Sequence, residues 1–236
     1  MGNHDHISKQ FDVELESVRS LVLKMGGFVE AQISSALEGL QTCDTHIIER
    51  TIADDHRVNG MEVEIDELCT QIIARRQPAA GDLRLLMAVI KTITDLERIG
   101  DEAEKIARMA KLICASDRIS HPRFTEIRRV GEIALGMLRD SLDAFARLDT
   151  ATAAKVVRQD MVVDEQFQSI LRQLITFMME DPRTISTSLE IMFVAKAIER
   201  IGDHAKNMSE YVVYLVKGKD VRHVTVEEIE KESRED

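Results

Sequence analysis

The chain has 236 residues, of which 44% are hydrophobic, 31% charged and only 4% aromatic, and its formal net charge is −11. This is a globular mix. Its acidity excludes a reader of duplex nucleic acid, which needs a basic face, and suits cation binding or docking on a basic protein surface. Three prolines and eleven glycines are too few breakers for a sandwich or barrel and favour a few long helices.

The punctuation divides the chain into six segments of roughly 25–35 residues. The first closes at Cys43-Asp44-Thr45. The second carries Val58, Met61, Ile65, Leu68 and Ile72 at three- and four-residue spacing and ends at Gln77-Pro78. Gly81 and Asp82 follow as helix punctuation, with Asp82 read as an N-cap. The third repeats the helical period through Val89, Leu96, Ile99, Ala103, Ile106 and Ala110. Ser116 to Pro122 is the most loop-like stretch and reads as a hinge. A fourth segment runs to Leu148-Asp149-Thr150. The fifth offers Val156, Val163, Phe167, Ile170, Leu174 and Phe177 before Pro182, and the sixth follows. Short connections between long amphipathic helices make antiparallel neighbours, so the reading is all-α, in helical bundles. The end after Gly218 is rich in Glu and reads as a frayed acidic tail.

The chain is a duplication. Glu97-Arg98-Ile99-Gly100-Asp101 returns unchanged as Glu199-Arg200-Ile201-Gly202-Asp203. Asp44 and Asp149, Asp55 and Asp160, Asn59 and Asp164, and Pro78 and Pro182 keep step with it. Helices 1–3 then form one unit and helices 4–6 a second, as two tandem, pseudo-symmetric three-helix bundles. The expected boundaries are 7–115 and 122–218, with a tail over 219–236.

The carboxylates carry what chemistry there is. Glu97 and Asp101 lie one turn apart on one helix face, as do Glu199 and Asp203. An antiparallel hairpin about Pro78 sets them level with Asp55 and Asn59, and one about Pro182 sets the second pair level with Asp160 and Asp164. Four oxygen-bearing side chains at one level are costly without a cation between them. Hard metals take such a set: Mg²⁺, Ca²⁺, Mn²⁺ or iron. The competing reading is a solvated charge cluster, balanced by Lys105 beside Asp101 and Lys206 beside Asp203. Gly100 and Gly202, at one repeat position, suggest close helix packing beside each site.

Other chemistries are not signalled. Cys43, Cys69 and Cys114 are far apart and make no Cys-x-x-Cys, which argues against a thiol redox motif or a thiolate zinc site. Their odd number and the polar start, Met1 to Gln10, point to a reducing cytoplasm. No Glu-x-x-His, His-Glu-x-x-His or phosphate-binding glycine loop occurs. His204 reads as a surface residue at the rim of the site. His4 and His6 with Asp5 read as a flexible terminus. No apolar run approaches the ~20 residues that span a bilayer, so membrane contact is expected only through protein partners. A regulator or structural adaptor without turnover is expected.

In its two Glu-Arg-Ile-Gly-Asp motifs the chain resembles the PhoU family. Ala74-Arg75-Arg76-Gln77-Pro78 with Asp82-Leu83-Arg84, Asp143-Ala144-Phe145-Ala146-Arg147, Met178-Met179-Glu180-Asp181 and Tyr214-Leu215-Val216-Lys217-Gly218 add to the match. The resemblance implies a cytoplasmic homodimer that couples a phosphate ABC transporter to a phosphate-sensing histidine kinase. It implies repression of the phosphate-starvation response while phosphate is plentiful, and metal clusters at Glu97/Asp101 and Glu199/Asp203. Iron, magnesium, manganese, calcium and zinc all stay open as the ion. Asn59, where the second repeat has Asp164, leaves the first site one negative charge poorer. The alternative is a helical adaptor that requires no metal.

Overall fold

The computed structural model describes residues 9–115, 124–222 and 224–234. They form α1 (Lys9–Thr42), α2 (Thr45–Arg76), α3 (Ala80–Ala115), α4 (Phe124–Arg147), α5 (Thr150–Glu180), α6 (Ile185–Lys217) and α7 (Val226–Arg234), with a 3₁₀ turn at Pro182–Thr184. No strand occurs among the described residues. The six expected helices are present, in two tandem three-helix bundles, α1–α3 and α4–α6. The expected hinge at Ser116 to Pro122, and the terminal His4, Asp5 and His6, lie outside the described residues.

The same turn ends α1 and α4. Cys43 and Leu148 adopt left-handed backbone, with φ of 54° and 57°. The next residue, Asp44 or Asp149, then caps the following helix. Asp44 accepts from the amides of His46 and Ile47, and Asp149 from those of Ala151 and Thr152. Left-handed backbone costs a non-glycine residue about 1–2 kcal/mol, and a good N-cap returns about 1. Asp82 is not a cap. The Leu83 amide already donates to Ala79 O at 2.9 Å, so α3 starts at Ala80 and Asp82 sits within its first turn.

α2 and α5 bury one stripe each, whereas α3 and α6 are buried on several sides. Val58, Ile65 and Ile72 of α2 meet Val89, Leu96, Ile99 and Ala103 of α3 in one continuous core with Val156, Val163 and Ile170 of α5. α3 and α6 form the broadest helix–helix contact of the molecule and run antiparallel. Across this seam Lys91 lies over Tyr211, Asp95 accepts from Asn207 at 3.3 Å, and Glu102 pairs with Arg200 at 2.9 Å. One partner descends as the other ascends, which sets Gly100 level with Gly202. Arg139–Glu30 at 2.6 Å and Arg19 donating to Ala146 O at 3.0 Å join α4 to α1.

The acidic end is not a frayed tail. Thr225 and Glu228 form a reciprocal capping box, at 3.0 and 3.3 Å, that starts α7. Ile229 is buried, and Arg158 of α5 holds Glu230 and Glu227. Glu227 and Glu230 thus share one basic partner on α5, and Glu232 pairs with Lys219 at 2.8 Å. The cysteines also differ from expectation. α3 returns beside α1, so Cys43 and Cys114, 71 residues apart, are joined in a disulfide with Cα atoms 5.6 Å apart. Only Cys69 among the three is free, and it is buried.

Thr152 and its amide hold the Asp149 carboxyl below the usual carboxylate range. Its stabilisation is therefore present above the ordinary carboxylate pKa and fades as pH falls through the lowered value. Asp149→Ala should cost about 1 kcal/mol in urea unfolding at neutral pH, and less in acid. A variant as stable as wild type at pH 7 would contradict the capping role.

Candidate metal centres

Each repeat positions its carboxylates by the same device. The outer helix brings one acidic face against the motif face of the inner helix, and a motif glycine lets the two approach. A Cβ on Gly100 would lie 3.2 Å from Val58 Cγ1, 3.3 Å from Gln32 Oε1 and 3.6 Å from Asp55 Oδ1. A Cβ on Gly202 would lie 3.5 Å from both Asp160 Oδ1 and Val163 Cγ1. The first cradle would be filled by a methyl group, and the second just admits one.

In the first repeat the structure brings Asp55, Glu97 and Asp101 together. Burial raises the pKa of Glu97, helped by the charges of Asp101, Glu62 and Asp55. Burial also raises that of Asp101, with Asp55 foremost among the neighbouring charges. Asn59 is exposed one turn away and donates its amide to Asp55 Oδ2 at 3.4 Å. Gln32 of α1 donates to Asp55 Oδ1 at 3.4 Å. Over Glu97 and Asp101 opens a groove of about 500 Å³, rimmed by Arg98, Lys105, Arg108 and Arg200.

In the second repeat Asp160, Asp164, Glu199 and Asp203 face one another. Burial pushes Asp203 up to about 6, reinforced by Glu199, Asp160 and Asp164. Asp164 is raised as well, by burial and then by Asp160 and Glu199. Two lysines oppose this crowding. Lys206 donates to Asp160 Oδ2 at 2.8 Å, and Lys196 to both oxygens of Glu199 at 2.6 Å.

The expected counter-charges are thus redistributed. Lys206 hydrogen-bonds Asp160, and its charge still acts on Asp203. Lys105 pairs at 2.9 Å with Glu102, which also holds Arg200, and the Lys105 charge still acts on Asp101. His204 is not a surface residue. It is 6% exposed, and its Nδ1 lies 2.7 Å from Asp95 Oδ1 across the seam.

Among the described residues no three His, Cys, Asp or Glu side chains stand as a preformed metal cage. The donor set nevertheless fits a hard cation. Three buried side-chain oxygens among the described residues have no hydrogen-bond partner, Thr92 Oγ1, Gln32 Oε1 and Asp160 Oδ1, and the last two belong to the acidic faces. Gln32 Oε1 lies against Gly100 and Asp160 Oδ1 against Gly202. An unsatisfied buried carboxylate oxygen costs free energy that a cation would recover. Sequence reasoning missed Gln32, Glu62 and Lys196. Gln32 was visible as the one amide in the apolar stripe of α1, between Val29 and Ile33. Its repeat partner is Met137, whose Cε packs 3.6 Å from a Cβ on Gly202.

Fold and site together define a tandem helical-bundle protein with one carboxylate face per repeat. A family model described as "PhoU domain" matches residues 22–110 and again 127–212. The phosphate-specific transport system accessory protein PhoU of Escherichia coli K12 is 48% identical over 226 residues, covering 96% of this chain and 93% of that protein. The PhoU homolog of Pseudomonas putida is 49% identical over 220 residues, covering 93% and 85%. The crystal structure of PhoU from Pseudomonas aeruginosa superposes with a TM-score of 0.85 at 47% identity, covering 89% of this chain and 100% of that one. The phosphate transport system regulatory protein PhoU from Streptococcus pneumoniae gives 0.83 at 27% identity, covering 89% and 99%. The chain belongs to the PhoU family.

The raised carboxyl of Asp203 makes a signed prediction for metal-free protein. Its contribution to stability is complete below the ordinary 3.8 and is lost as pH rises through about 6. Asp203→Asn should therefore be the more stable protein above pH 6, by about 1 kcal/mol after solvent screening. The advantage should vanish in acid. Parallel stability–pH curves for the two proteins would show that the acidic face is not crowded.

Proposed function

We propose that this protein is an accessory regulator of phosphate transport that works by docking and without turnover of its own. The observation that carries the reading is the doubled Glu-Arg-Ile-Gly-Asp face, once per bundle, in a chain of the PhoU family. The relatives are named as accessory and regulatory proteins of phosphate transport. No described helix is long and apolar enough to cross a membrane, which accords with contact through a transporter's cytoplasmic portion. In the finer form of the proposal, the protein is a cytoplasmic homodimer. It links the phosphate ABC transporter to a phosphate-sensing histidine kinase, and holds uptake and the starvation response down while phosphate is abundant.

Metal ions belong to this proposal. Asp55, Asn59, Glu97 and Asp101 would hold one site, with Gln32 Oε1 as a further donor, and Asp160, Asp164, Glu199 and Asp203 the other. An all-oxygen set favours iron, magnesium, manganese or calcium over zinc. The bound cation supplies positive charge between helices that otherwise repel, bracing α2 on α3 and α5 on α6. In the second site it competes with Lys196 and Lys206 for the same oxygens. A helical adaptor that needs no metal is the alternative, and the two lysines favour it for that site.

Deletion of the gene should raise expression of phosphate-starvation genes in phosphate-rich medium. Complementation with Asp101→Ala/Asp203→Ala separates the parts of the proposal. The double variant should fold, carry less metal by elemental analysis and fail to restore repression. Silent starvation genes in the deletion strain would refute the regulatory assignment. Equal metal content in variant and wild type would remove these residues as ligands.

A further inference from the structure

The disulfide between Cys43 and Cys114 joins the C-terminal ends of α1 and α3 at one end of the first bundle. Cys43 is exposed and occupies the left-handed turn between α1 and α2. Cys114 is half-buried on the last turn of α3. The bond therefore encloses the whole α2–α3 hairpin, with Asp55, Glu97 and Asp101 inside the loop. Leu40, Ile48 and Ile113 are buried at this end, but the charged contact beside the bond is weak. The Lys111–Glu49 pair, at 3.0 Å, has both side chains more than half exposed, and such pairs contribute little. Cys69 is a built-in contrast. It is fully buried in the core, and burial pushes its thiol up to about 12, so it does not supply thiolate.

We propose that Cys43 and Cys114 are a reversible redox clasp, closed by a low-molecular-weight disulfide of the glutathione class, which locks the α1–α2 turn to the end of α3. The exposed Cys43 is the entry thiol. Its thiolate attacks a sulfur of glutathione disulfide, forming a mixed disulfide and releasing one glutathione thiolate, which takes up a proton. The Cys114 thiolate then attacks the Cys43 sulfur of that mixed disulfide and expels the second glutathione. Two protein thiols are oxidised to one disulfide, and one glutathione disulfide is reduced to two thiols. In a reducing compartment the clasp is open, and it closes under disulfide stress. The clasp stands on the geometry of the first bundle and does not depend on the phosphate-signalling reading.

The test uses the full chain, reduced and then equilibrated without oxygen in stepped ratios of reduced to oxidised glutathione. Free thiols are counted with a polymer-tagged maleimide and peptides are mapped by mass. The expected result is joint loss of the Cys43 and Cys114 thiols to one intramolecular bond, reversed by excess reduced glutathione. Cys69 should stay reduced and unlabelled until the protein is denatured. In Cys114→Ser, Cys43 should instead retain glutathione as a stable mixed disulfide. Amide hydrogen exchange across residues 39–48 should slow at least about tenfold in the oxidised form. Glutathione adducts alone on wild type, or disulfide-linked dimers, would overturn the proposal. So would an intramolecular bond that leaves exchange at 39–48 unchanged, since nothing would then be locked.

Discussion

The antiparallel packing of α3 on α6 is the constraint from which the rest follows. Both helices are buried on several sides, so they can carry charge only where a partner or a small neighbour makes room. Gly100 and Gly202 make that room toward α2 and α5. One residue past each motif, Glu102 and His204 turn to the seam, where they meet Arg200 and Asp95. Successive helix residues point about 100° apart. Site and seam are thus consecutive residues of one rigid element in both repeats. At the first motif the two are electrostatically linked, since the charge of Glu102 raises the pKa of Asp101.

Duplication has not kept the two sites alike. The second repeat answers its four carboxylates with Lys196 and Lys206, whereas the first has Thr94 and Glu104 at those repeat positions. The first uses an amide, Gln32, where the second packs Met137. At the first face the cations stand at the rim: Lys105 acts on Asp101 and Arg98 on Glu97, with neither hydrogen-bonded to those carboxylates among the described contacts. Even with its two lysines the second face keeps Asp203 raised to about 6, so both faces retain uncompensated negative charge.

Much of this was legible in the residues. The period of Val58, Ile65 and Ile72 against Val89, Leu96 and Ile99 fixes which faces meet, and the prolines and cap aspartates fix where the chain reverses. Hairpin register then sets Asp55 beside Asp101 and Asp160 beside Asp203. What escaped was mostly contact between elements far apart in sequence. His204 and Asp95 lie across the seam, 109 residues apart, and no local pattern pairs them. Cys43 and Cys114 meet only because α3 returns beside α1. α7 was different, because the Thr225-x-x-Glu228 box was there to be seen. A strongly acidic composition drew the reading toward a solvated tail, and Arg158 on α5 supplies the missing counter-charge.

Both motif faces are proposed as cation sites, with carboxyls whose pKa values burial raises first and mutual repulsion raises further. This is tested most directly by titrating metal-free protein with Mn²⁺ in a calorimeter, near pH 6, in buffers of different ionisation enthalpy. Ligand carboxyls must lose their protons to bind a metal. With Asp203 at about 6, and Glu97, Asp101 and Asp164 also raised, binding should release protons there and fewer as the pH is raised. Binding without proton release near pH 6, or no binding at all, would contradict the account.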